Sequence, residues 1–238
     1  MGTLLNRRRY MGGGGSAEWP LKYWLSGEDS LVDQKWVDRI NPSIQWNVGL
    51  LVTHDTVNNR YLFMGRTAGR WIQDYRATLP STLINLYNLG YHWKMVVRGE
   101  FLYAPASMTS ASYFIDFASV RSANFNIGWA TMNKGFTQNF KTAGNSEIYS
   151  CSDNFLLTNA TSNPCPFEVE FGCEAVSKTT SRLYTLYDGT YYYGPTFNNM
   201  LFTNWQSGDF YIGMGNAGSS YGCDFYLSDW KIYVEPYT

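Results

Sequence analysis

The residues best spaced to do chemistry are three glutamates on one alternating stretch, Phe167-Glu168-Val169-Glu170-Phe171-Gly172-Cys173-Glu174. Apolar side chains hold the odd positions and polar ones most of the even positions. That is the period of a strand with one face in a core and the other in solvent or a groove. Hydrolysis of a glycosidic bond with retention needs two carboxyl groups about 5–5.5 Å apart, one as nucleophile and one as acid/base; alternate residues of a strand meet that spacing. Glu168 with Glu170 or Glu174 is therefore the sharpest catalytic candidate. Against it, position 172 is glycine, so Glu174 lies two steps beyond Glu170 and needs a kink to join it. An amphipathic strand with its acids in water accounts for the same residues without catalysis, and is the preferred reading.

A second constellation suits binding. Tyr191-Tyr192-Tyr193, Asn198-Asn199 and Trp205 cluster around turns between late strands. Sugar rings present apolar C–H faces that stack on aromatics, while amides and carboxylates take the hydroxyls. Tyr191, Tyr193, Asn198 and Trp205 are the carbohydrate-binding candidates. Strand alternation requires that Tyr192 and the pair Tyr191/Tyr193 face opposite ways. The competing reading is that these rings pack the interior or join subunits.

Other chemistries find little support. Gly213-Met214-Gly215-Asn216-Ala217-Gly218 matches a dinucleotide fingerprint, but Ser219-Ser220-Tyr221-Gly222 makes a poor helix start, so a glycine-rich hairpin is expected. His54 and His92 have no metal spacing, no loop has the Asp/Asn spacing of an EF-hand, and no nucleophile elbow occurs. Cys151, Cys165, Cys173 and Cys223 form no CxxC pair; a Cys151–Cys165 disulfide is an alternative to the preferred reduced thiols. With 18 basic and 19 acidic residues the net charge is −1, without the basic face that nucleic acid requires. No run approaches the ~18 apolar residues of a membrane span. No apolar stretch follows Arg7-Arg8-Arg9, so no secretory signal is expected and the Asn159-Ala160-Thr161 acceptor pattern reads as accidental.

The elements that must position these residues are strands. Aromatics make up 18% of 238 residues and charged residues only 16%, and 22 glycines supply turns. Residues 1–18, with three arginines followed by four glycines, read as a flexible tail. From 19 onward one domain is expected. Leu31–Asp38 is the best helix candidate, with Val32, Trp36 and Ile40 at fourfold spacing. Strands are expected over Gln45–Val52, Trp93–Tyr103, Ser112–Ala118, Asn124–Thr131, Phe167–Glu174, Arg182–Tyr187 and Cys223–Glu235, the last interrupted at Ser228-Asp229. Asp188-Gly189 before Tyr191 signals a hairpin. About a dozen strands without long helices imply two antiparallel sheets packed face to face.

Three motifs sharpen that expectation. Tyr187-Asp188-Gly189, then Phe210-Tyr211-Ile212-Gly213-Met214-Gly215, then Phe225-Tyr226-Leu227-Ser228-Asp229-Trp230-Lys231-Ile232-Tyr233 resemble the closing half of concanavalin A-like and laminin-G-like jelly-roll domains. Residues 41–90 fit that pattern poorly. The resemblance implies an all-β, two-sheet antiparallel jelly-roll sandwich and allows lectin-like binding. It also allows a calcium ion at a sheet edge near Asp188, Asn198 and Asp209. Glycoside hydrolases of this fold carry a pattern close to E-x-D-x-E, from which Glu170 and Gly172 depart. The leader Met1-Gly2-Thr3-Leu4-Leu5-Asn6-Arg7-Arg8-Arg9-Tyr10-Met11 and Gly12 to Gly15 resembles that of virion-associated proteins of gut Bacteroidota phages and prophages. It implies a tail that docks through Arg7, Arg8 and Arg9 onto other virion proteins after assembly in the host cytoplasm. On that reading the sandwich is displayed in many copies toward host polysaccharide; a ligand-free scaffold or decoration role is the rival.

Overall fold

The computed structural model describes residues 19–64, 77–80, 92–102, 112–118, 124–130, 135–141, 148–150, 164–198, 209–213 and 224–235. Sixteen strands and no helix occur among them, in two antiparallel sheets of eight strands each, so the all-β sandwich expected from composition is the fold. Sheet one runs β14 (Thr190–Asn198), β13 (Thr180–Tyr187), β12 (Cys165–Ala175), β7 (Trp93–Phe101), β16 (Asp224–Val234), β5 (Arg60–Met64), β4 (Thr53–Asp55). One edge of β16 is shared: Asp224–Leu227 pair with β5, and Asp229–Tyr233 pair with β1 (Leu21–Ser26). The register of β16 against β7 slips between Leu227 and Asp229. The interruption read at Ser228-Asp229 is thus a bulge where the strand changes partner, fastened by Gly27 N–H donating to Ser228 O at 2.7 Å.

Sheet two runs β11 (Ile148–Ser150), β10 (Gly135–Lys141), β9 (Asn124–Ala130), β8 (Ser112–Ala118), β15 (Asp209–Ile212), β6 (Ala77–Leu79), β3 (Gln45–Val48), β2 (Lys35–Val37). Strand alternation builds the interior between the sheets. In β7, Trp93, Met95, Val97 and Phe101 are buried, while Lys94, Val96 and Arg98 face away. Aromatic rings reach across from one sheet to the other. Trp46 of β3 meets Trp230 of β16 edge-on at 5.2 Å, and Trp36 of β2 meets Tyr61 of β5 at 4.5 Å. Phe136 of β10 touches Phe167 at 5.3 Å and Tyr187 at 5.1 Å. Each such pair adds about 0.5–1.5 kcal/mol beyond the area it buries.

The helix expected over Leu31–Asp38 is absent. Asp33 and Gln34 instead take left-handed φ values of 50° and 58°. They form a two-residue turn closed by Val32 N–H to Lys35 O at 3.0 Å and Lys35 N–H to Val32 O at 2.8 Å. Trp36 is buried, whereas Val32 and Ile40 are 62% and 45% exposed, so the fourfold spacing marks no common face. The chain then bends at Asp38, whose buried carboxylate accepts N–H bonds from Trp24, Ile40 and Asn41 at 2.8–2.9 Å.

Candidate functional site

The outward face of sheet one carries the three glutamates and, of the second constellation, Tyr191, Tyr193 and Asn198. Register sets its rows. Tyr193 lies opposite Tyr184, then Gly172, then Lys94. One row along, Tyr191 lies opposite Leu186, then Glu170, then Val96. The β13–β14 register shifts so that Leu183 faces both Gly194 and Pro195. This bulge suits a proline, which has no N–H to give a ladder, and it keeps Thr196 and Asn198 on the same outward face as Tyr191 and Tyr193. Tyr192 packs against the core instead. The opposition between Tyr192 and its two neighbours is as alternation requires.

Tyr191 and Tyr193 stack parallel, ring centroids 5.7 Å apart at 8°, with 37% and 38% of their surfaces exposed. Tyr184 lies against both, at 5.5 Å and 6.4 Å, and is itself buried. It can lie so low because its ring crosses Gly172, where any Cβ would sit only 2.5 Å from the tyrosine oxygen and closer still to the ring. Its hydroxyl donates to Glu170 Oε1 at 2.6 Å. The Arg182 guanidinium lies 3.6 Å from the centre of the Tyr193 ring and donates through Nε and Nη2 to Glu174 Oε1 at 2.9 and 2.7 Å. Tyr184 and Arg182 escaped the sequence reading, since nothing in their spacing separates them from ordinary strand residues.

The three glutamates share this face, as alternation implies, but occupy different surroundings. Glu170 is held by Tyr184 and by Lys94 Nζ, 3.3 Å from Oε2. Glu174 is buried and paired with Arg182. Glu168 is exposed, and its carboxylate has no hydrogen bond or ion pair among the described residues. Two of the three carboxylates are therefore engaged by fixed partners rather than held open together.

Beside the platform lies an open groove of about 510 Å³ between the β13–β14 turn and the β16 bulge. Arg98, Glu168, Asp188 and Ser228 supply its polar groups, and Pro166, Phe167 and Tyr187 its apolar ones. Asp188 and Gly189 have φ of 47° and 73°, the two-residue hairpin turn read from the sequence. The Tyr187 phenol is raised by burial, then by the neighbouring Cys165 and Asp188. Arg60 closes one end, bound to Glu100 and Asp55 at 2.9 Å each and lying 3.7 Å over the Tyr226 ring.

The calcium grouping does not converge. Asp188 and Asn198 bracket β14, about 30 Å apart at strand rise, and Asp209 begins β15 in the other sheet. Among the described residues no group of three His, Cys, Asp or Glu could hold a metal ion. No helix among them is long and apolar enough to cross a membrane. Cys165 and Cys173 are buried thiols. Cys151, Trp205, Met214 to Gly218 and the tail with Arg7, Arg8 and Arg9 lie outside the described residues.

No family model matches the chain, and no curated protein matches its sequence. Solved structures do share its fold. The binding domain of botulinum neurotoxin DC, solved in complex with rat synaptotagmin II, is 12% identical with a TM-score of 0.58, covering 91% of this chain and 48% of that one. The binding domain of Paraclostridial Mosquitocidal Protein 1 is 10% identical with a TM-score of 0.54, covering 92% and 49%. Trypanosoma rangeli sialidase in complex with sialic acid is 14% identical with a TM-score of 0.54, covering 97% and 33%. The likeness is one of fold. The chain spans about half the length of the toxin binding domains and a third of the sialidase.

Proposed function

We propose that the chain is a non-enzymatic binding module whose outward sheet face takes carbohydrate on the Tyr191–Tyr193 platform. The observation that carries this reading is the pair of parallel, solvent-facing rings held up by a third tyrosine. Two rings more than a third exposed, stacked on each other and braced by Tyr184 and Arg182, offer an apolar surface whose ordering is complete before a ligand arrives. Arg182, Thr196 and Asn198 lie on the same face and can meet hydroxyl groups at its margin. That several neighbours of the same fold are toxin binding domains supports binding over catalysis. So does the engagement of Glu170 and Glu174 by fixed partners. The leader's resemblance supports a finer setting, a virion-associated protein anchored by its tail and displaying the sandwich toward host polysaccharide in many copies, where repetition raises weak single-site affinity.

A glycan array with the full chain tests the reading. Binding to a polysaccharide that falls about tenfold or more in Tyr191→Ala/Tyr193→Ala, with the native far-UV circular dichroism spectrum and a cooperative melt retained, is the expected outcome. Retention of binding in that variant removes the platform from the account.

A further inference from the structure

The groove lies one row from the platform. Along the outward face, Glu168 stands opposite Arg98, which stands opposite Asp229. The β12–β13 register sets Tyr187 against Val169, so the next residue on each strand places Asp188 across from Glu168. Strand spacing and rise put this group about 12 Å from Tyr191 across the sheet surface, with no strand break between them.

The charges here are not balanced. On the neighbouring strands cations are matched by carboxylates: Arg182 with Glu174, Lys94 with Glu170, Arg60 with Asp55 and Glu100, and Lys231 with Asp229 at 3.9 Å. Arg98 spends its Nη2 on Asp229 at 2.6 Å, and its side chain, 56% exposed, keeps donors on its other nitrogens. The carboxylates of Glu168 and Asp188 have no hydrogen bond or ion pair among the described residues, which leaves the groove a negative surplus. Carboxylates beside a guanidinium, with exposed Pro166 next to them, present acceptors and donors to neighbouring hydroxyls. An anionic sugar would meet repulsion there.

We propose that the groove is a second sugar subsite, continuous with the tyrosine platform, and that together they take several consecutive units of an uncharged polysaccharide. This rests on the platform reading and adds to it the length and charge of the ligand. Glu168, Asp188 and Arg98 are then specificity-determining, and Tyr191 and Tyr193 supply the stacking surface.

The test uses the full chain against immobilised laminarin, dextran and mannan as uncharged probes, and polygalacturonate and alginate as anionic ones. Titration calorimetry follows, with the disaccharide and the hexasaccharide of whichever polymer binds. Glu168→Ala/Asp188→Asn is a safe variant, since Glu168 is exposed and unpartnered and asparagine tolerates the left-handed backbone at 188. Expected are binding to an uncharged polymer and none to the anionic ones. The double variant should lose about tenfold in affinity for the hexasaccharide and nothing for the disaccharide. Hexasaccharide binding that depends on Tyr191 and Tyr193 but ignores Glu168 and Asp188, or a preference for the anionic polymers, overturns the second subsite and leaves the platform standing. Binding to none of the five polymers, or binding indifferent to the two tyrosines, overturns both.

Discussion

Two aspartates near the β1–β5 side of the molecule respond to acid in opposite directions. Asp38 is raised above its ordinary 3.8 because burial outweighs the N–H bonds from Asn41, Trp24 and Ile40. Asp55 is lowered to about 2 by hydrogen bonds from the Asn58 side chain and Arg60, the Arg60 charge adding to them. A lowered folded-state value means that Asp55 contributes stability above pH 3.8, lost as pH falls toward 2. A raised one means that Asp38 contributes stability below 3.8, lost as pH rises through its shifted value. Carboxyl-detected NMR titration should give a midpoint near 2 for Asp55 and one above 3.8 for Asp38. Asp55→Asn should flatten the acid limb of the stability curve. Equal midpoints for the two residues would refute this account. Neither residue was singled out by its sequence context, because the shift comes from partners and burial that the fold assembles.

At the scale of elements, the β12–β13–β14 unit was largely legible and the Leu31–Asp38 segment was not. Asp188-Gly189 announces a left-handed two-residue turn through its glycine; nothing lies within 4 Å of a Cβ built at Gly189, so the residue serves backbone geometry alone. Asp33-Gln34 makes the same kind of turn with no glycine, and a chance fourfold spacing supplied a helical pattern in its place. Gly172 is the opposite of Gly189: an ordinary strand position whose bare Cα lets Tyr184 lie flat. Gly172→Ala should cost about 1–3 kcal/mol by overpacking, read as a lower urea midpoint, and should lower Tyr191–Tyr193 platform affinity by displacing its support. Adding Tyr184→Ala should make the pair of substitutions cost less than their sum, since the alanine methyl then has room. Simple additivity would show that the ring and the glycine are not in contact.

At the scale of the whole molecule, alternation tells which side of a strand faces inward but not which strand lies beside it. Hence the sandwich was readable and its order was not: β7 pairs with β12 and β16, both distant in sequence, and β16 serves β7, β5 and β1. That order decides how the molecule opens. Cys173 sits on β12, separated from the sheet edge by β13 and β14. Burial pushes its thiol well above the ordinary 9.0, and the thiolate is the reactive form. If the β13–β14 hairpin detached by itself, Cys173 would label through a local opening whose rate hardly depends on denaturant. The hairpin is fastened by more than its ladder, however. Leu183 and Phe197 are buried, Tyr192 packs on the core, and Tyr187 meets Phe136 of the opposite sheet. Releasing it therefore opens the interior between both sheets. In a Cys151→Ser/Cys223→Ser variant, thiol labelling read by peptide mass spectrometry should show Cys173 reacting with the same denaturant dependence as global unfolding. A slope well below the global value would mean that the edge hairpin moves as a separate unit, and that the tyrosine platform it carries is not the rigid surface described above.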